Sequence, residues 1–161
     1  MKRVVLFTLV ALVAFAVGAY AQKPDFSGKW VLDPAKTEGG PGGGGGGGRA
    51  GGGGGGAAPL TITQTATDLT IERTMGETVT KTVYKLDGKE SVNETQRGKS
   101  TYVSKWDGAK LMTTIKAETP QGTRESTEVR SLAADGTMVV ETTSQGPSGP
   151  TTRKMVYNKE K

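Results

Sequence analysis

The chain has 161 residues, 34% of them hydrophobic, with 21 Lys and Arg against 16 Asp and Glu, and it contains neither cysteine nor histidine. Without cysteine there is no disulfide scaffold, thiolate zinc site or cysteine nucleophile, and without histidine the commonest metal ligand and general base are gone. Seventeen hydrophobic residues fall in the first 21 positions, and 15 of the 25 glycines lie between Gly39 and Gly56. What remains is enough for one domain of about 120 residues and no second core.

Lys2 and Arg3 precede an apolar run from Val4 to Val17, broken only by Thr8, and Ala19-Tyr20-Ala21 follows with the small residues of a signal-peptidase site. Residues 1–21 are therefore expected to be a signal peptide cleaved before Gln22; a retained anchor is the competing reading, since the run approaches the ~18 to 20 apolar residues that span a bilayer. No cysteine follows to carry a lipid. The expected product is residues 22–161, free in the periplasm or outside the cell and not inserted in a membrane. It carries 19 basic and 16 acidic residues, a net charge of +3, with the signs interspersed. A basic stripe for nucleic acid is missing, so no nucleic-acid partner is expected.

The first strand is expected at Gly28 to Asp33. Asp33-Pro34-Ala35-Lys36 then places an N-cap candidate before a Pro, able to start one helical turn, and the chain passes into a glycine-rich loop, residues 39–58. No Gly-Lys-Ser/Thr follows it, so it is not a nucleotide loop; it is either a flexible lid or a low-complexity expansion. From Pro59 on, the chain is crowded with Thr and Val, lacks helical periodicity and carries frequent turn signals. Strands are expected at Leu60 to Thr65, Leu69 to Met75, Thr78 to Leu86, Glu90 to Thr95, Ser100 to Trp106, Ala109 to Glu118, Thr123 to Leu132, Thr137 to Gln145 and Thr151 to Lys159. Asp87-Gly88, Asp107-Gly108 and Asp135-Gly136 are expected to supply the positive φ of two-residue hairpins.

Ten short strands joined by tight turns form an antiparallel up-and-down meander. Closing it into a barrel removes the exposed edges and leaves an interior wide enough for one small ligand. A two-sheet sandwich is the alternative.

Phe26-Ser27-Gly28-Lys29-Trp30 carries a Gly-x-Trp at the start of the first strand. It resembles the opening of the lipocalins and the intracellular fatty-acid-binding proteins. The longer stretch from Asp25 to Lys36, with Lys105-Trp106-Asp107-Gly108, resembles small secreted bacterial lipocalin-like proteins. The resemblance implies an all-β calycin-type barrel with Gly28 and Trp30 plugging one end, Trp30 lying beneath an Arg of the last strand, here Arg153. Two features depart from it. Polyglycine stands where the fatty-acid-binding proteins have a helix pair, and their Arg-x-Tyr carboxylate clamp has no match in Arg153-Lys154-Met155-Val156-Tyr157.

No catalytic constellation emerges. Asp33, Asp68, Asp87, Asp107 and Asp135 fall in turns or caps; Glu125 and Glu128 are three apart on a strand and face opposite sides; Glu90 and Glu94 share a face without a third ligand. No enzyme activity, metal or cofactor is expected. Asn93-Glu94-Thr95 fits a glycosylation acceptor pattern that is expected to be idle. Thr80, Thr82 and Tyr84 oppose Val79, Lys81 and Val83, so neither face of that strand is purely apolar. A barrel lined in this way suits a small hydrophobic or amphipathic molecule, with Tyr84, Tyr102, Trp106, Arg153 and Tyr157 as candidate binding residues. Such a carrier is expected to be monomeric. The alternative is a structural or interaction module of the bacterial envelope that encloses nothing.

Overall fold

The computed structural model describes residues 23–38, 58–95, 98–120, 122–146 and 149–161. The expected signal peptide and nearly all of the glycine-rich loop lie outside these residues. The described chain forms ten antiparallel strands: β1 (Gly28–Leu32), β2 (Leu60–Gln64), β3 (Asp68–Met75), β4 (Thr78–Lys85), β5 (Glu90–Thr95), β6 (Gly98–Asp107), β7 (Lys110–Thr119), β8 (Gly122–Leu132), β9 (Met138–Gly146) and β10 (Gly149–Lys159). They follow one another in a single sheet ordered β4-β3-β2-β1-β10-β9-β8-β7-β6-β5. First and last strands pair, with Trp30 opposite Lys159 and Leu32 opposite Tyr157, so the meander curls into a nearly closed barrel. The β4 and β5 edges face each other across one seam.

The tight turns work differently from the expected Asp-Gly device. Two-residue loops close Met75 onto Thr78 and Asp107 onto Lys110, with Gly76 (φ 62) and Gly108 (φ 56) at the first loop position. Only glycine takes positive φ among the described residues, which is the pattern of a type II′ turn and leaves the aspartate just outside the loop. Asp87 and Asp135 serve through their side chains: each carboxylate accepts the N–H two residues on, from Lys89 at 3.1 Å and Thr137 at 3.0 Å. Asp33 does the same for Ala35 at 3.0 Å, so Pro34 to Lys36 form a turn and not a helix.

Strand alternation divides the side chains. Leu60, Ile62, Leu69, Ile71, Leu111, Met138, Val140 and Tyr157 point inward and are buried. Within β4 the Thr80, Thr82, Tyr84 face is the inner one, since Tyr84 is 6% exposed while Val79 on the opposite face is 61% exposed. The barrel has a sealed end. There Trp30 donates its indole N–H to the Phe26 carbonyl at 2.8 Å, and the Phe26 ring stacks on Trp106 with centroids 6.0 Å apart. Gly28 is favoured at this end by its φ of 130°, a backbone conformation that other residues rarely adopt, and a Cβ there would also push aside the flexible end of Lys159.

Lys159, not Arg153, covers Trp30: its ammonium sits 5.4 Å from the ring centroid. Register dictates this. Lys159 is directly opposite Trp30, whereas Arg153 is six residues farther along β10, roughly 20 Å away, opposite Thr142 and exposed. The expected Trp30–Arg153 stack is therefore incorrect.

Candidate functional site

The inner wall holds charge of essentially one sign. Alternation places Arg73 on β3, Arg124 and Arg130 on β8, Arg153 and Lys159 on β10 on inward positions, against Glu128 as the one inward acid of the described strands. The other strand acids, such as Glu72, Glu90, Glu94, Glu125 and Glu141, occupy outward positions. Toward the hairpin ends opposite Trp30 the inward positions open to solvent, and Met75, Arg124, Ser144 and Arg153 are exposed.

Arg130 is the deepest of these cations, with a side chain 2% exposed. Its Nη2 donates to Glu128 Oε1 at 2.6 Å, as positions i and i+2 of one strand share a face. Its guanidinium carbon lies 5.5 Å from the Tyr84 ring centroid. Among the described residues no group stands in hydrogen-bond geometry to the remaining buried donors, Nε and Nη1, although the Tyr84 hydroxyl lies close enough to help hold the charge. On β5 the Ser91 hydroxyl is buried and unpartnered too. Leaving a buried polar group unsatisfied costs ~1 to 3 kcal/mol, more for a charged one, so Arg130 alone makes this layer expensive. Burial pulls against its charge, but the Glu128 carboxylate and the Tyr84 and Tyr157 phenols hold it firmly protonated.

The three inward tyrosines surround that charge. Tyr84 meets Tyr102 edge to face at 5.0 Å. Burial raises the Tyr84, Tyr102 and Tyr157 hydroxyls above the usual phenol range, and all three sense both Arg73 and Glu128. On the neighbouring strands Ser104 and Thr113 share a buried hydroxyl hydrogen bond of 2.9 Å. The layer thus offers guanidinium and hydroxyl donors. Among the described residues no cluster of acids and imidazoles could hold a metal ion.

Of the candidate residues read from the sequence, Tyr84, Tyr102 and Tyr157 meet in this layer. Trp106 does not; it belongs to the sealed end, stacked on Phe26 with Lys23 Nζ 5.6 Å from its ring. Arg153 lies toward the open end. The sequence reading missed Arg130. Its signal was Ser126, Glu128, Arg130 and Leu132 on one face of β8 against Thr127, Val129 and Ser131 on the other, a strand with no dry face to declare which side is inner.

The layer is closed. Tyr157 and Ser104 have no accessible surface and Thr113 only 1%, so no water-sized void adjoins them. Two clefts, of about 240 and 470 Å³, lie elsewhere: one among Glu90, Thr101, Val103, Thr114 and Lys116 on the outer face of β5 to β7, the other beside the β8–β9 turn and the C-terminus. The expected ready-made cavity is not among them.

No protein-family profile and no curated protein matches the sequence. Solved structures do. One is described as "REP1-NXSQ fatty acid transporter"; it superposes with a TM-score of 0.56 over 84% of this chain and 96% of its own, at 14% identity. That likeness establishes the barrel fold.

Proposed function

We propose that the protein is a non-catalytic carrier that takes an anionic amphipathic molecule, a carboxylate with an apolar tail, into its barrel. The observation that carries this reading is Arg130: a buried, protonated guanidinium with two donors lacking partners. A carboxylate can accept from Nε–H together with the second Nη2 hydrogen, the side-on bidentate geometry of arginine. Glu128 neutralises part of the charge and fixes the guanidinium by accepting one hydrogen of Nη2. The inward bias toward arginine favours entry of an anion, and Tyr84, Tyr157 and the aliphatic residues toward Trp30 supply an apolar bed for the tail. The fatty-acid transporter with the same fold supports the reading. Export by residues 1–21 would place the carrier in the periplasm or outside the cell.

Calorimetric titration with palmitate and hexadecanol tests it. Wild type is expected to bind the acid at least tenfold tighter than the alcohol, because a hydrogen bond to a charged group contributes ~1.5 to 3 kcal/mol. Arg130→Met should erase the difference. Equal affinity for acid and alcohol in wild type would overturn the assignment of Arg130.

A further inference from the structure

The barrel is laddered everywhere among the described strands except between β4 and β5. These two strands are consecutive in the chain, yet they stand at opposite ends of the sheet order and no backbone register joins them. The turn between them leans the other way: Leu86 donates its N–H to the Thr67 carbonyl at 2.8 Å, and Lys85 Nζ bonds Asp68 at 2.5 Å, tying the end of β4 to the β2–β3 turn. Among the described residues one side chain hydrogen-bonds across the seam, beside the Tyr84–Tyr102 ring contact. Asn93 on β5 accepts the Val83 N–H through Oδ1 at 2.9 Å and donates Nδ2 to the Val83 carbonyl at 2.9 Å. Its carboxamide thus imitates one rung of a ladder, and it is 9% exposed.

Three observations make the seam the place where the barrel yields. Arg130 is 2% exposed and Tyr157, Ser104 and Thr113 at most 1%, so a guest that reaches the guanidinium must make its own room. Elsewhere, widening the barrel would break a continuous run of backbone hydrogen bonds, whereas at the seam it breaks the two made by Asn93. The seam also borders the layer directly: Tyr84 follows Val83 and packs on Arg130, and the unpartnered Ser91 hydroxyl lies on the same inward face of β5 as Asn93. Outside, Val79 and Val92 flank it, at 61% and 50% exposure.

We infer that the β4–β5 seam is the expansion joint of the barrel and that Asn93 is its latch: the carboxamide lets go of Val83 when a guest occupies the Arg130 layer and closes the seam when the guest leaves. This rests on the carrier reading above. Holding the empty barrel shut then weakens binding, since only the unlatched form accommodates the guest. Asn93→Ala is expected to bind dansyl-undecanoate about tenfold tighter than wild type, the loss of two modest hydrogen bonds. A merely structural asparagine predicts the reverse. In wild type, hydrogen exchange at the Val83 amide should quicken when the fatty acid binds, while amides of the β7–β8 ladder slow; this second measurement does not depend on how the variant folds. If wild type binds the probe but Asn93→Ala binds it equally or more weakly, and Val83 stays protected in the complex, the latch is refuted and the carrier reading stands. If wild type does not bind the probe, both fall.

Discussion

The two ends of the barrel solve opposite problems. Around Trp30 every group has a partner: the indole N–H has the Phe26 carbonyl, Phe26 has Trp106, and Lys159 lies over the indole face. Around Arg130, the same depth of burial leaves two guanidinium donors and a serine hydroxyl unsatisfied. Apolar burial with satisfied polar atoms stabilises a fold; a buried cation with open donors costs stability, and is retained here, we argue, for what it can hold. The contrast teaches that the sealed end maintains the barrel, while the arginine layer is the part that the carrier proposal explains.

Truncation at the sealed end should have the largest effect. Trp30→Ala removes a fully buried indole and its hydrogen bond, and a loss of ~3 to 5 kcal/mol is expected by chemical denaturation. A loss under about 1 kcal/mol would mean that this end is not the core.

The arginine layer should respond non-additively. Glu128→Gln leaves the buried guanidinium without its anion and should cost ~3 kcal/mol or more. Replacing both partners, Arg130→Met with Glu128→Leu, should cost less than that single change, because the desolvation penalty vanishes with the charges. The double variant should fold well and lose its preference for the acid over the alcohol. Additive losses would show that the two side chains do not interact.

The legible part of this organisation was the part carried by short-range chemistry. Glycine and proline punctuation with Thr and Val enrichment locates all ten strands, because turns act on neighbouring residues, whereas Gly28-Lys29-Trp30 pointed to a barrel end only through the family resemblance. What sits over Trp30 was misassigned, since only the β1–β10 register chooses between Lys159 and Arg153. The arginine layer was illegible for a related reason: β8 is polar on both faces, so alternation alone cannot say that Glu128 and Arg130 point inward. Asn93 stood out only as a glycosylation pattern, whereas its carboxamide bonds both the N–H and the carbonyl of Val83 across a seam that no local signal announces.

Alkaline pH should separate the two ends next. Burial raises the Tyr84, Tyr102 and Tyr157 phenols, so the folded barrel keeps protons that the unfolded chain releases near pH 10. The stability they contribute is complete below about pH 10 and is lost as the pH rises above it, by roughly 1.4 kcal/mol per unit for a phenol that stays neutral. Tyr84→Phe should flatten this fall in the thermal midpoint. An unchanged slope would show that Tyr84 ionises freely in the folded state.

The smallest effects belong to the cations along β10. Lys159→Met should cost ~0.5 to 1 kcal/mol through the lost cation–π contact with Trp30, and a double cycle with Trp30→Phe should show coupling. Arg153→Ala should change stability by less than about 0.5 kcal/mol and show none with Trp30.

The account stands most directly on whether Arg130 receives the guest's carboxylate. Nitrogen-15 NMR of the Arg130 Nε–H during addition of palmitate reads this at the atom concerned. The account predicts one resonance, shifted in the complex and saturating at a single equivalent, with no such shift on adding hexadecanol. A resonance that stays in place while palmitate demonstrably binds would contradict it.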